Sequence, residues 1–162
     1  MLTEMKKRKV IRIIAIIGIA GVLTSATIGA YMFYKPHRDV QSAKADYKLT
    51  STQIVAEYLA DNQAANQKYL AADGDSKILE ISGEVNEISE NFNGQKVVLL
   101  NGGKDMAGVS AIFTAETNDN LDGITIGQAI KVKGVIRSGA SYDEDLEMYE
   151  NVILEKSDIV NE

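Results

Sequence analysis

The feature that most constrains this chain is a run of 22 residues without a charge, at positions 13–34. A helix needs about 20 apolar residues to cross the hydrocarbon layer of a bilayer, so the run predicts one transmembrane helix. Tyr31, Phe33 and Tyr34 at its C-terminal end favour the membrane–water interface. A basic cluster within residues 1–12 precedes it and is expected to stay in the cytoplasm, which places the C-terminal part outside.

The same segment also resembles a cleaved signal peptide. A basic start, an apolar run at 13–23 and small residues at 24–26 are typical of a secretory signal and its cleavage site. Apolar character resumes at Ile28 and continues to Tyr34, and this length favours a retained anchor. The two interpretations differ in whether the chain is cut after Ala26.

Charge is divided unevenly along the chain. Before residue 39 there are seven basic residues and one acidic residue, whereas 10 basic and 22 acidic residues follow from Asp39 onward. The net charges are therefore +6 and −12. The acidic part would repel phosphate backbones and an anionic membrane surface, so a nucleic-acid partner is disfavoured.

The residues that many catalytic and metal sites require are scarce. The chain has no cysteine, which excludes disulfides, thiol catalysis, zinc–thiolate sites and a lipid anchor attached to cysteine. The one histidine, His37, lies just after the apolar run, so no Ser/His/Asp set can form within the domain that follows. We therefore expect no enzyme activity, no cofactor and no catalytic metal.

A polar stretch and a helix are expected to follow the apolar run. Residues 35–49, which include Pro36, predict a linker. Thr50 and Gln53 have the spacing of a capping box, and apolar residues after them repeat at helical spacing, which predicts one helix at 51–71. Gly74 suits the end of that helix, so residues 50–74 are interpreted as a helical segment that packs on the next domain.

From Lys77 the hydrophobic period changes from about 3.6 to 2, which is typical of β-strands. Five strands are predicted at 78–88, 97–100, 109–113, 130–137 and 149–154, with a polar loop at 138–147. Gly83 and Gly134 lie within strands, as the sharp coiling of a small barrel requires. The fold class is therefore all-β with an added N-terminal helix: a five-stranded, OB-fold-like barrel at 75–162, preceded by one transmembrane helix. An open sandwich would use the same pattern.

Four short motifs together resemble one known family. They are Lys-Pro-His-Arg-Asp-Val at 35–40, Asn-Gln-Lys-Tyr-Leu at 66–70, Ile-Ser-Gly-Glu-Val at 81–85 and Gly-Gln-Ala-Ile-Lys-Val-Lys-Gly at 127–134. The pattern is similar to that of the tRNA_anti-like family, and the similarity extends over about residues 35–156. The resemblance implies an OB-fold in a bacterial envelope protein.

Five residues are candidates for ligand binding, although each also has a structural interpretation. Lys131, Lys133 and Arg137 share one face of the fourth predicted strand, as a basic stripe or as an ordinary solvated face. Phe113 alternates with core residues, and Tyr142 in the following loop could stack on a ligand or pack on the barrel. Single-stranded nucleic acid would need such aromatic and basic groups on one surface.

Two polar loops could attract a cation. Asn118, Asn120 and Asp122 imitate the first half of an EF-hand loop, but Ala129 stands where a bidentate glutamate is required. Acidic residues at 143–147 concentrate charge in the last predicted loop, where solvation is the simpler interpretation. We predict no metal site in either loop.

The sequence favours a non-enzymatic binding module held at the bacterial cytoplasmic membrane with its domain in the periplasm or outside the cell. Its partner would be a protein, a peptide or an envelope glycan, bound by the second and third predicted strands and the loop at 138–147. The alternatives are a single-stranded nucleic-acid binder using Lys131, Lys133, Arg137 and Phe113, and a structural role in which the helix pairs with a partner. The oligomeric state is not predicted.

Overall fold

The structure is a computed structural model that describes residues 39–72 and 74–161, together with Gly18, Thr24 and Thr27. The chain divides after Arg38, and the elements below belong to the unit Asp39–Glu162. They are β1 (Tyr47–Thr50), α1 (Ser51–Ala60), α2 (Asn62–Tyr69), β2 (Ile78–Glu90), β3 (Lys96–Leu100), β4 (Val109–Phe113), a 3₁₀ helix (Asn118–Leu121), β5 (Ala129–Ser138), β6 (Ser141–Asp143), β7 (Met148–Glu150) and β8 (Val152–Ile159).

Five of these strands close into a barrel. Its strands pair in the order β2-β3-β4-β8-β5, and β5 returns to pair with β2. β2 is long enough to pair antiparallel with β3 through one half and with β5 through the other. This ring is the strand order of an OB-fold, which confirms the predicted barrel and excludes the open sandwich.

The predicted transmembrane span at 13–34 lies outside the described residues, apart from Gly18, Thr24 and Thr27. Within the described part of the chain, no helix combines the length and the apolar character that crossing a membrane requires.

The stretch predicted as a linker is partly built into the domain. Tyr47–Thr50 forms β1, which adds to the barrel by pairing in parallel with β2, with Tyr47 opposite Leu79. Further upstream, Val40 is buried, and Asp39 accepts hydrogen bonds from the backbone N–H groups of Gln41 and Ser42. Residues 39–49 therefore form part of the packed structure, which their polar composition did not indicate.

The single helix predicted at 51–71 is in fact two. The capping box at its start is present, because Thr50 Oγ1 accepts from the Gln53 N–H and Gln53 Oε1 accepts from the Thr50 N–H. The break falls at Asp61, whose backbone is extended and whose carboxylate accepts a 2.9 Å hydrogen bond from the Ala64 N–H. Aspartate caps a helix N-terminus well, so it starts a new helix here instead of continuing the old one.

The predicted loop at 138–147 contains ordered structure as well. β6 and β7 form a two-stranded hairpin in which Tyr142 is paired with Tyr149. Tyr149, which was assigned to the last predicted strand, therefore belongs to this hairpin, and the closing strand β8 begins at Val152. The hairpin was missed because its two strands of three residues are too short to show an alternating pattern.

The barrel interior is filled by the inward-facing residues of each strand. In β5 these are Ile130, Val132, Gly134 and Ile136, all buried, which confirms the alternation predicted for this strand. A Cβ atom on Gly134 would lie 2.6 Å from the Ser157 hydroxyl oxygen, so a side chain cannot fit where β5 meets β8. The glycine thus permits close packing of two strongly coiled strands.

Both ends of the barrel are covered. At one end, the 3₁₀ helix is held by Thr117, whose hydroxyl donates a 2.8 Å hydrogen bond to the Ser157 carbonyl oxygen. At the other end, α1 and α2 place Ile54, Val55, Tyr58 and Tyr69 in the same hydrophobic core as the barrel residues. The two helices therefore complete the core, and their apolar faces are used within the domain.

The closest contact between helices and barrel involves Tyr58 and Gly139. A Cβ atom added to Gly139 would lie 1.8 Å from Tyr58 Cε1, and Tyr58 itself is 1% exposed. The aromatic ring therefore occupies the volume that any other residue at position 139 would need for its side chain.

We expect Gly139→Ala to lower the free energy of unfolding by about 1–3 kcal/mol, because the added methyl group would overlap the ring of Tyr58, which is fully buried. Urea denaturation followed by circular dichroism measures this change. Ser138→Ala, at the preceding position, serves as the control and should stay within about 0.5 kcal/mol of the unmodified protein. Equal stability of both variants would show that the helices do not pack on Gly139.

Candidate functional site

An open cleft lies between the two helices and the β6–β7 hairpin. Its volume is about 670 Å³, within the range of small-molecule sites. The polar and aromatic residues on its wall are Tyr58, Asn62, Asn66, Arg137, Ser138, Ser141, Tyr142, Tyr149 and Glu150. We call this the hairpin cleft.

The position of the cleft follows from how the helices meet the barrel. The Tyr58 ring packs on Gly139, at the point where β5 leads into the hairpin. Next to it, Asn62 Nδ2 donates a 3.1 Å hydrogen bond to the carbonyl oxygen of Ala140, which is fully buried. These two contacts fix both walls of the cleft relative to each other.

The hairpin contributes an aromatic wall. The rings of Tyr142 and Tyr149 have centroids 4.9 Å apart and are inclined by 55°, the tilted arrangement that aromatic pairs favour. Tyr142 is 49% exposed, so part of its ring is open to a ligand. Glu150 accepts a 2.6 Å hydrogen bond from the Ser141 hydroxyl, which ties the two strands together beside the cleft.

The helices contribute amide groups. Asn62 and Asn66 are one helical turn apart, and Asn66 Nδ2 donates to Asn62 Oδ1 at 2.8 Å. Each Asn side chain has two N–H donors and one carbonyl acceptor, so these bonds leave Asn66 Oδ1 and one N–H of each residue for a ligand.

The Tyr58 hydroxyl is the unusual group of this site. It is buried and has no hydrogen-bond partner among the described residues, although buried polar groups are nearly always paired. Burial is the main cause that raises the pKa of Tyr58 to about 12, and the neighbouring Tyr69 and Glu57 add to the effect. The hydroxyl is therefore a neutral, buried group near Tyr69 and Glu57 whose hydrogen-bonding capacity is unused.

The charged groups of the cleft nearly balance. Arg137 is the basic residue on its wall and Glu150 the acidic one. The Arg137 guanidinium also lies 3.8 Å from the Glu155 carboxylate, but both side chains are largely exposed and the pair is weak. The wall is thus close to neutral, although the surrounding unit is strongly acidic.

The five residues proposed from the sequence are distributed over several places. Arg137 and Tyr142 both lie on the hairpin cleft. Lys131 lies on a second cleft, also of about 670 Å³, whose wall contains no aromatic ring. Phe113 is fully buried in the barrel core, so its ring is not accessible to a ligand.

Lys133 holds the segment at residues 39–43, which we call the strap. Its ammonium group donates to the carbonyl oxygens of Gln41 and Ala43. The strap also bonds to β8, because Gln41 Nε2 donates a 2.7 Å hydrogen bond to the Lys156 carbonyl oxygen. The basic stripe on β5 is therefore interrupted, because its central member bonds to the protein's own backbone.

The outer face of β3 and β4 differs from a base-stacking surface. Its outward-facing residues include Val97, Leu99 and Ile112, which are aliphatic and half-buried. Val97 and Ile112 are directly paired across the two strands. This face offers no aromatic ring within the described residues.

In the polar loops considered as cation sites, several side chains bond to other groups of the protein. Asn118 bonds to the backbone of Lys96 and Gly94, and Asp122 pairs with the Lys96 ammonium at 3.0 Å. In the hairpin turn, Asp143 Oδ1 accepts from two backbone N–H groups. No group of three or more potential metal-ligating side chains occurs in the part of the chain that the structure describes.

Sequence reasoning missed the contribution of Tyr58, Asn62, Asn66 and Tyr149 to the site. Tyr58 was assigned to the apolar face of the helix, which is correct for its ring but does not reveal an unpaired hydroxyl. The spacing of Asn62 and Asn66 by four residues places them on one face of a helix, and this spacing could have indicated a polar surface there.

Comparison with known proteins identifies the family. The model of the tRNA_anti-like family matches residues 1–145. The chain belongs to the tRNA_anti-like family. The match includes residues 1–34, whereas the four motifs that suggested the family all lie after residue 34. It ends at residue 145, within the hairpin and before β8. No curated protein sequence matches the chain.

The solved structures that resemble this member of the tRNA_anti-like family include the crystal structure of a proposed nucleic acid-binding lipoprotein from Klebsiella pneumoniae, with a TM-score of 0.51 and 16% sequence identity. The likeness covers 78% of this chain and 99% of the Klebsiella protein. At this identity the similarity establishes a shared fold.

We expect Tyr58→Phe to be as stable as the unmodified protein at pH 7, or more stable, because it removes a buried hydroxyl that has no partner.

The raised pKa of Tyr58 also predicts that the stability of the protein depends on pH. The folded protein holds the phenolic proton more tightly than the unfolded chain, so stability should fall as the pH rises from about 10 to 12. Urea denaturation at pH 7, 10 and 11 measures both effects, and Tyr58→Phe should lose less stability over this range. A large loss of stability in the variant at pH 7 would mean that the hydroxyl has a partner.

We expect Lys133→Met to release the strap, because the variant loses both hydrogen bonds to residues 41 and 43. The measurement is limited trypsin digestion, with cleavage after Lys44 expected to become several-fold faster. Lys104→Met, at an exposed position in the turn after β3, is the control and should leave this rate unchanged. Equal rates in both variants would show that other contacts hold the strap.

Proposed function

We propose that this protein is a non-enzymatic binding module of the bacterial envelope, held at the cytoplasmic membrane by residues 13–34 and exposed outside the cytoplasm. The observation that carries the proposal is the preformed hairpin cleft, where aromatic and amide side chains from separate elements meet on one open surface. Such concave sites with a few convergent polar groups are typical of ligand binding.

The composition of the cleft supports binding over catalysis. Its ionisable side chains are Arg137, Glu150 and three tyrosines. Tyr58 stays protonated at neutral pH because burial raises its pKa to about 12. The Ser141 hydroxyl donates a hydrogen bond to the Glu150 carboxylate, but no histidine that could activate it lies among the described residues that line the cleft.

The location outside the cytoplasm rests on the N-terminal segment. Residues 13–34 are uncharged and follow a basic cluster, and the family match includes this segment. The Klebsiella protein is described as a lipoprotein. Because the present chain has no cysteine to carry a lipid, an apolar helix is the attachment that we propose.

The charge distribution favours a partner other than nucleic acid. The unit from Asp39 onward has a net charge of −12. Of the residues that a nucleic acid would need, Phe113 is buried and Lys133 bonds to the strap. Arg137 and Lys131 line different clefts. A protein, a peptide or a glycan of the envelope fits this surface better than a polyanion does.

Labelling of single cysteines tests both location and site, since the chain has no native cysteine. Phe92→Cys lies at an exposed turn away from the cleft, and Met106→Cys lies on the cleft wall at an exposed position that is given no binding role. In intact cells, a membrane-impermeant maleimide should label both variants. Met106→Cys should react several-fold more slowly in cells than in the purified protein, because a partner covers it, whereas Phe92→Cys should react equally in both settings.

Two results would contradict the proposal. Labelling of Phe92→Cys only after lysis would place the domain in the cytoplasm. Equal reactivity of Met106→Cys in cells and in the purified protein would show an unoccupied cleft. Retention of the purified protein on single-stranded DNA at about 50 mM salt, where electrostatic attraction is strong, would instead favour a nucleic-acid binder.

A further inference from the structure

We infer that the ligand of the hairpin cleft is a neutral oligosaccharide. The inference rests on the proposed function and adds the chemical class of the ligand. It is carried by the placement of two tyrosines of the hairpin and two asparagines of α2 around a single open cleft.

The hairpin wall suits the apolar face of a sugar ring. Tyr142 and Tyr149 stand side by side as a cross-strand pair, and Tyr142 remains half exposed. A pyranose has C–H groups on its faces, which pack on aromatic rings, while the tyrosine hydroxyl groups remain free to bond at the edges. A platform of this kind binds a ring that is apolar on its faces and polar at its rim.

The helix wall suits the rim of the same ring. Asn66 keeps its Oδ1 acceptor, and both Asn62 and Asn66 keep an N–H donor. A sugar hydroxyl donates one hydrogen bond and accepts others, so paired donors and acceptors are well matched to it. Glu150 lies on the wall as a further acceptor.

The charge of the wall selects against other ligands. Arg137 and Glu150 have opposite charges, so the wall has no net field for a polyanion or a polycation. The acidic surroundings further repel phosphate-rich polymers. A peptide is also uncharged along its backbone, but the number of hydroxyl and amide groups on the wall matches a ligand that is rich in hydroxyl groups.

The test uses the full-length chain in lauryldimethylamine oxide, because glycoside detergents carry a competing sugar. Chitotriose and cellotriose are titrated as neutral probes by isothermal calorimetry, with a polyproline peptide and an oligothymidylate as comparison ligands. At least one oligosaccharide should bind. Tyr142→Ala should weaken that binding about tenfold, which corresponds to about 1.4 kcal/mol.

Two further variants separate binding from folding. Asn66→Ala should weaken binding about three- to tenfold, as the loss of one hydrogen bond does, while the stability of the protein changes little. Phe92→Ala removes an exposed aromatic ring outside the cleft and should leave the affinity unchanged.

The inference is overturned if neither oligosaccharide binds at about 10 mM, a concentration beyond weak millimolar affinity. It is also overturned if the affinity of Tyr142→Ala equals that of Phe92→Ala, or if polyproline or oligothymidylate binds in place of the sugars. Failure of the sugars while Met106→Cys remains protected in cells would reject only the ligand class. Failure of both would reject the proposed function as well.

Discussion

The packing of Tyr58 on Gly139 determines how the helical segment and the barrel form one domain. The ring lies where a side chain at position 139 would be, so α1 approaches the end of β5 more closely than any other residue there would allow. That approach closes one end of the hydrophobic core and brings Asn62 within hydrogen-bonding distance of Ala140. The hairpin that follows Ala140 is thereby held facing the helices, and the cleft is the space left between them. Stability and binding surface thus depend on the same contact.

Much of the fold was predictable because it depends on local patterns. The alternation of Ile130, Val132 and Ile136 identifies a half-buried strand, and Thr50 with Gln53 identifies a helix start. What escaped prediction depends on contacts distant in sequence or on very short elements. β1 is a strand because it pairs with β2, about 30 residues later in the chain. The helix break at Asp61 does have a local cause, since aspartate is a good capping residue. It was not predicted because the residues after Asp61 favour helix and are compatible with one continuous helix.

The candidate site was less predictable than the fold, for a physical reason. A sequence pattern tells which face of an element is polar, but not which polar groups find partners. Lys133 and Arg137 look equivalent on β5, yet Lys133 bonds to the strap while Arg137 lines the cleft. Phe113 follows the core pattern, and its burial leaves it no exposed surface. For Tyr58, the pattern places the ring correctly, whereas the state of its hydroxyl depends on its burial and on the neighbouring Tyr69 and Glu57.

The parallel pairing of β4 with β8 has a consequence for the order in which the molecule can assemble. β8 lies between β4 and β5 and is the last strand of the ring. The first four strands of the barrel can form hairpin and crossover contacts among themselves, but the cylinder stays open along one seam until Val152–Ile159 is inserted. Pairings between distant segments form slowly, because the closure of long loops must precede any gain in contact energy. Until β8 arrives, the seam exposes unpaired backbone edges of the kind that attract other chains, and this interval is when a nascent copy of the protein is most vulnerable to aggregation.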